Sequence, residues 1–226
     1  MNYSVSISGD IISSTTLTTE NRQRLGQGLI VLKQLIESSY PGSYVRLSKG
    51  DYMECYLPEA RRGLRVALLI KCFIKSLDIT QQSNKIRFKY FNMYRVRLAV
   101  GIGTMTKVDP KQDILDGEAI YLSGRLLDKF HTADKEKIFV KNTLCLASAS
   151  KEWQSEFEGV FALLDILLSK LTTKQCEVLF YKLQAMTDEE IAIKLNRKRN
   201  TVNEHSTLAG WNAIESVVCR FEEIVK

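Results

Sequence analysis

Histidine is nearly missing from this chain: among 226 residues only His131 and His205 occur. A zinc site of the Cys/His type needs several such ligands at close spacing, so that chemistry is not expected. The five cysteines, Cys55, Cys72, Cys145, Cys176 and Cys219, are scattered, odd in number and form no C-x-x-C pair. They read as buried thiols in a reducing cytoplasm rather than as a disulfide framework. No apolar run approaches the ~20 residues that a membrane span requires. The opening "MNYSVSISGDIISS" lacks a basic region followed by an apolar run, so no secretory signal and no membrane partner are expected. Internal repeats and low-complexity tracts are also lacking.

What is present is ordinary for a globular chain: 45% apolar and 26% charged residues. The length suits one large domain or two modest ones. The net charge of +6 is unevenly spread: residues 151–226 carry 10 Lys and Arg against 12 Asp and Glu, a net −2, which leaves +8 for residues 1–150. A basic first part suits a polyanionic ligand such as a nucleotide or nucleic acid, or a soluble surface with no such partner.

"NYSVSISGDI" alternates small polar and apolar residues and predicts a strand ending at Gly9-Asp10. Leu25, Leu29, Leu32, Leu35 and Ile36 recur at helical spacing behind Thr18 or Thr19 as N-cap. After a break at Pro41-Gly42, "YVRLSKGDYMECYL" predicts two paired strands around Lys49-Gly50-Asp51. "EARRGLRVALLIKCFIKSL" predicts an amphipathic helix, "QQSNK" a polar loop, and "MYRVRLAVGIG" a strand with Tyr94, Val96, Leu98, Val100 and Ile102 alternating. "KVDPKQDILDG" reads as a loop. "EAIYLSGRLLDKF" reads as a helix with Ala119, Leu122, Leu126 and Phe130 on one side, and "EKIFVKN" as a short strand. The expected class is α+β: a ferredoxin-like α/β sandwich with one helical face over residues 1–150, then an all-α module over 151–226. That module reads as four short helices, with capping boxes at Thr172/Gln175 and Thr187/Glu190 and a split near Gly210.

Basic and aromatic residues interleave at Lys85, Arg87, Phe88, Lys89, Tyr90, Phe91, Tyr94, Arg95 and Arg97. Such a patch suits nucleic acid, or equally a solvated hairpin edge defended by charge.

"LTTKQCEVLFYKLQAMTDEEIAIKLNRKRNTVNEHSTLAGW" resembles the helix-turn-helix of LuxR-type regulators and of sigma factor region 4. Leu171-Thr172 opens the first helix, Glu190-Ile191-Ala192 and Leu195 lie in the second, and Thr201-Val202 and His205 in the third. Small Ala192 permits close helix approach, Asn196 can turn left-handed, and Val202 plugs the angle between helices. The resemblance implies an exposed face of Arg199, Asn200, Asn203, Glu204 and Ser206 able to enter a major groove of double-stranded DNA. Lys194, Arg197, Lys198 and Arg199 supply the local positive charge. Basic residues at Arg197 and Lys198 depart from the usual apolar residue and Ser or Thr cap. A helical packing or dimerisation module is the other reading.

Three segments in order, Gly9-Asp10-Ile11, Lys49-Gly50-Asp51-Tyr52-Met53 and Asp116 through Leu126, resemble the class III nucleotidyl cyclases and their compact SatD-like relatives. The resemblance covers about residues 3–145. It implies Asp10 and Asp51 as ligands for Mg or Mn against a nucleoside triphosphate, and Arg125 as the transition-state guanidinium. Backbone amides near Ser13 and Ser14 would cradle phosphate, and the site would form in a homodimer. The ribose-orienting Asn of the family falls at Tyr121 and its purine-selecting Lys at Leu47. The leading expectation is a DNA-binding transcriptional regulator with a cyclase-like, nucleotide-sensing or dimerising first part. The alternatives are a nucleotidyl cyclase or transferase, and a non-catalytic scaffold.

Overall fold

Strand β1 (Ser4–Ile11) alternates serine with aliphatic residues, and the fold buries both sets. The structure, a computed structural model, describes residues 2–48, 51–79, 86–137 and 142–226. Helix α1 (Thr19–Ser39) follows, capped by the Thr18 side chain, which accepts from the Asn21 amide. Strands β2 (Tyr44–Ser48) and β3 (Tyr52–Leu57) form the expected antiparallel pair, whose Lys49-Gly50 tip lies outside the described residues. Helices α2 (Gly63–Ser76) and α3 (Ile86–Tyr94) lead to β4 (Val96–Gly103). Then come β5 (Met105–Asp109), β6 (Ile114–Gly117), α4 (Glu118–Lys137) and β7 (Leu144–Ser148). The main sheet has the order β2-β3-β1-β4-β7, antiparallel except for the β4–β7 pair.

Register explains how one strand serves two layers. Val5 and Ile7 pair with Ile102 and Val100 and face α2, where Gly63 sits against Val5 and Val100. Ser6 and Ser8 pair with Gly101 and Ala99 on the opposite face. There α4 approaches so closely that a Cβ on Gly101 would lie 2.3 Å from the Ala119 carbonyl oxygen. Ser123 joins Ser8 and Ser6 through hydroxyl contacts of 2.9 and 3.0 Å. The expected single helical face is therefore corrected: helices cover both sides, and the small Ser, Ala and Gly side chains make room for the second. The sheet-facing stripe of α4 is also corrected, to Ala119, Ser123 and Leu127.

Other differences have local causes. The expected QQSNK loop lies outside the described residues, and Met93 and Tyr94, expected to open a strand, instead end α3, which stops at Arg95 at φ 60, whose amide donates to the Phe91 carbonyl at 2.8 Å. "KVDPKQDILDG" forms the β5–β6 ribbon, turning through Asp113 at φ 56. The strand expected at 136–142 begins in α4, runs through residues outside those described, and gives way to β7 one step later.

The chain continues through α5 (Lys151–Lys170), α6 (Thr173–Lys182), α7 (Asp188–Lys194), α8 (Arg199–Leu208) and α9 (Trp211–Ile224). This is one helix more than expected, and α5 is long. Both capping boxes form, and Gly210 starts α9 from a left-handed conformation at φ 73. One apolar core runs from Val5, Leu64 and Leu68 to Phe157, Phe161 and Phe221. Among the described residues no helix is long and apolar enough to cross a membrane.

Helix α2 is not amphipathic in use. The sheet covers one side, the C-terminal helices the other, and Lys71 and Lys75 are both buried. The Lys71 ammonium donates to the Val96 and Thr143 carbonyls and to the Thr143 hydroxyl, and it lies 3.2 Å from the Asp165 carboxylate. Asp165 in turn accepts from the Thr143 amide and hydroxyl. Lys75 donates to the carbonyls of Met93, Leu168 and Ser169, closing the C-terminus of α5.

Asp165→Ala removes the counter-ion and strands a buried ammonium, so urea denaturation should show a loss of roughly 3–5 kcal/mol. Burial lowers the Lys75 ammonium from 10.5 to about 8. Between those values the unfolded chain holds a proton that the folded chain has released, so this group makes stability rise with pH across that window. Melting curves of wild type and Lys75→Met from pH 8 to 10.5 should show a rise that is smaller in the variant.

Candidate functional site

The sheet's α4-side face carries a polar corner at the end where β1 leaves the sheet. Asp10 is the last residue of β1 on that face, opposite Tyr52 on one side and Arg97 on the other. Arg97 is buried, and its Nη1 reaches both Asp10 carboxylate oxygens at 3.3 Å. Asp51 stands one residue before Tyr52. Its carbonyl accepts from the Ile11 amide at 2.9 Å and its carboxylate accepts from the Ser14 hydroxyl at 2.7 Å. The two expected carboxylates therefore sit on neighbouring strand ends. Burial pushes the Tyr52 phenol up, opposed by its hydrogen bond with Ser8, so it stays neutral beside them.

Ser13 turns left-handed at φ 55 and starts a short 3-10 turn over Ser14–Thr16. Successive amides in such a turn form a concavity that suits anions. Ser14 thus has a role at the side-chain level, gripping Asp51, beyond the amide expected of it.

Arg125 is elsewhere. On α4 the stripe facing the sheet is Ala119, Ser123 and Leu127, so Arg125 and Tyr121 project outward and are exposed. The Arg125 guanidinium lies 5.8 Å from the centroid of the Tyr121 ring. The Tyr121 hydroxyl donates to Asp116 at 2.6 Å, which raises its pKa above the ordinary phenol value. Leu47 packs against the core, while Arg46 pairs with Glu54 and donates to the Asp113 carbonyl at 3.0 Å. Among the described residues no three of His, Cys, Asp and Glu gather into a metal-holding group.

Sequence reading placed Arg97 in the basic and aromatic patch and missed its place beside Asp10, because strand alternation sets it on a face that looks solvated. Only the pairing of β1 with β4 sets it opposite Asp10. The basic and aromatic patch is split: Phe91, Arg95 and Arg97 are buried, Lys89 is exposed, and Lys85 lies outside the described residues. Arg95 stacks on Phe91 at 4.6 Å, burial lowers it to about 10, and among the described residues its Nε and Nη1 meet no hydrogen-bond acceptor. Nearby, the buried thiols of Cys72 and Cys176 interact. The hydrogen bond draws Cys176 down and pushes Cys72 up, with Lys75 and Lys71 adding to the pull on Cys176. All five cysteines are free; Cys219 is exposed and Cys145 half-buried, against the expectation of burial.

In the C-terminal helices, Val178, Ile191, Ala192 and Val202 form a small core among α6, α7 and α8. Asn196 makes the left-handed turn at φ 49. Lys198 precedes α8 without a side-chain cap. Asn200, Asn203 and Glu204 are exposed, but Ser206 is buried and donates to the Asn203 carbonyl at 3.0 Å, a correction to the expected outer face. Acids meet much of the positive charge. Arg197 pairs with Glu177 at 2.6 Å and Arg199 with Glu189 at 2.7 Å. Asn203 donates to Asp188 at 3.3 Å. Lys194 lies over the Tyr181 ring at 5.2 Å.

No protein-family model matches the chain, and no curated protein matches it. Among solved structures it is similar to a bacterial light-regulated adenylyl cyclase, with 17% identity, a TM-score of 0.39, and coverage of 65% of this chain and 74% of the other. A second structure of a bacterial light-regulated adenylyl cyclase shows 18% identity and a TM-score of 0.37; 65% of this chain matches 42% of that one.

Proposed function

We propose that this chain binds a nucleoside triphosphate at the Asp10–Asp51 corner, together with Mg or Mn, and that two copies complete the site. The observation that carries this reading is the placement of both carboxylates on adjacent strand ends, with Asp51 fixed by Ile11 and Ser14. The donors are hard oxygens. Mg is commonly held by one or two carboxylates plus substrate phosphate, so the lack of a third acidic ligand among the described residues is no obstacle. Bound there, the metal would neutralise phosphate charge and activate an attacking hydroxyl.

The chain's own residues have separable tasks in this scheme. Asp51 is held in place by Ser14, Arg97 offsets the charge of Asp10 when no cation is present, and the Ser13–Ser14 turn presents amides to phosphate. Arg125 faces away from its own sheet, which supports a role toward the phosphates bound by a second copy. Tyr121 is engaged with Asp116 and Leu47 with the core, so neither serves a ribose or a purine as the family's Asn and Lys do. This favours binding over rapid turnover. Triphosphate with Mn in about hundredfold excess over its dissociation constant should stabilise the protein by ~2.7 kcal/mol, a melting shift of several degrees. Asp10→Asn and Asp51→Asn should each abolish the Mn-dependent part. No shift with any of the four common triphosphates, or one that survives both substitutions, would overturn the reading.

A second reading, DNA binding through α8, is favoured by the left-handed corner at Asn196 and the exposed Asn200, Asn203 and Glu204. Because acids already meet Arg197 and Arg199, the phosphate contribution should be modest. Arg199→Ala should weaken binding several-fold and flatten its salt dependence; an unchanged mobility shift would count against this reading.

A further inference from the structure

At the opposite end of the sheet, where β3 closes at Leu57, a cavity of about 500 Å³ opens between the end of α1, the start of α2 and the turn between α6 and α7. That volume falls in the range of small-molecule sites. Its apolar walls include Leu57, Leu69 and Leu183, and its polar groups include Tyr40, Arg62 and Arg65.

The charges are unbalanced in a specific way. Arg65 binds the Glu222 carboxylate through Nε at 2.6 Å and Nη2 at 3.1 Å, and its Nη1 donates to the Leu183 carbonyl at 3.2 Å. Arg62 shares the same carboxylate, with Nη1 3.2 Å from Glu222. Neighbouring Glu59, which also lines the cavity, is held by Arg61 at 2.7 Å and lies 3.9 Å from Arg62 Nε. Three guanidinium groups, Arg61, Arg62 and Arg65, therefore answer to two carboxylates, Glu59 and Glu222, leaving one excess positive charge beside the cavity. Burial keeps the Tyr40 phenol protonated, so it can donate. Arg65 is fully used; Arg62 is the more exposed of the two and the one a ligand can recruit.

We propose that this cavity is a binding site for a small organic monoanion, a carboxylate on an apolar body, held by Arg62 and Tyr40 with its body against the leucines. One excess charge matches a carboxylate rather than a polyphosphate, and the apolar walls exclude a bare inorganic anion. The site is independent of the Asp10–Asp51 corner, which lies at the other end of β3.

Calorimetric titration with benzoate, phenylacetate and hexanoate, against benzamide and inorganic phosphate, tests it. At least one carboxylate should bind saturably at millimolar concentration, with benzamide and phosphate weaker. Arg62→Gln leaves Glu222 paired with Arg65, so the protein should stay folded while carboxylate affinity falls about tenfold. Ser39→Trp, at an exposed position on the rim, should block binding without disturbing the core. The proposal is overturned if no carboxylate binds, if benzamide or phosphate binds as tightly, or if both folded variants bind like wild type.

Discussion

The buried contact between Lys71 and Asp165 is the constraint on which the rest of this molecule depends. It joins α2, the start of β7 and α5 at one point, with Thr143 bonded to both charges. Desolvating two charges costs several kcal/mol each, which only close geometry and full hydrogen bonding offset. Here both conditions are met: burial pulls the lysine below its ordinary value, and Asp165 opposes that pull. With β7 fixed beside β4, the sheet is complete. With α5 fixed, α6 and α9 have a surface to close on, and the cavity beside Arg62 has its far wall.

The same layout separates two kinds of polar group. At one end of the sheet, Asp10, Arg97 and Asp51 sit where the strands run out and the α4-side layer leaves a polar face. At the other end, Arg62, Arg65 and Glu222 join α2 to α9. Between them the Ser, Ala and Gly stripe lets α4 lie directly on the strands. The helix that carries Arg125 is thereby held rigid while Arg125 itself faces outward.

How much of this was legible beforehand depended on whether a residue's partner was local. The Thr18 cap, both capping boxes, the left-handed Asn196 and the break at Gly210 all rest on short-range geometry, and they were readable. Asp10 and Asp51 were found because turn motifs announce strand ends. The buried roles of Arg97, Lys71 and Lys75 were not, since a charge on a periodic element reads as solvated until a second layer covers it. For β4 that layer is α4; for α2 it is the C-terminal helices. Ser123 was overlooked in favour of Leu122 and Leu126 for a related reason: against a stripe of Gly and Ser, a small hydroxyl packs better than a leucine. At α8 the basic residues were visible, but the acids opposite them, Glu177 and Glu189, come from other helices.

Chain order gives the Lys71 contact a meaning for the nascent polypeptide. Synthesis delivers α2 and most of the sheet well before Asp165 leaves the ribosome. Until then the lysine faces an apolar interior without its counter-ion, so the favourable course is for that layer to stay open and hydrated. Arrival of α5 supplies the missing charge and the acceptor for the Thr143 amide and hydroxyl together, and sets the moment at which the emerging chain can seal itself.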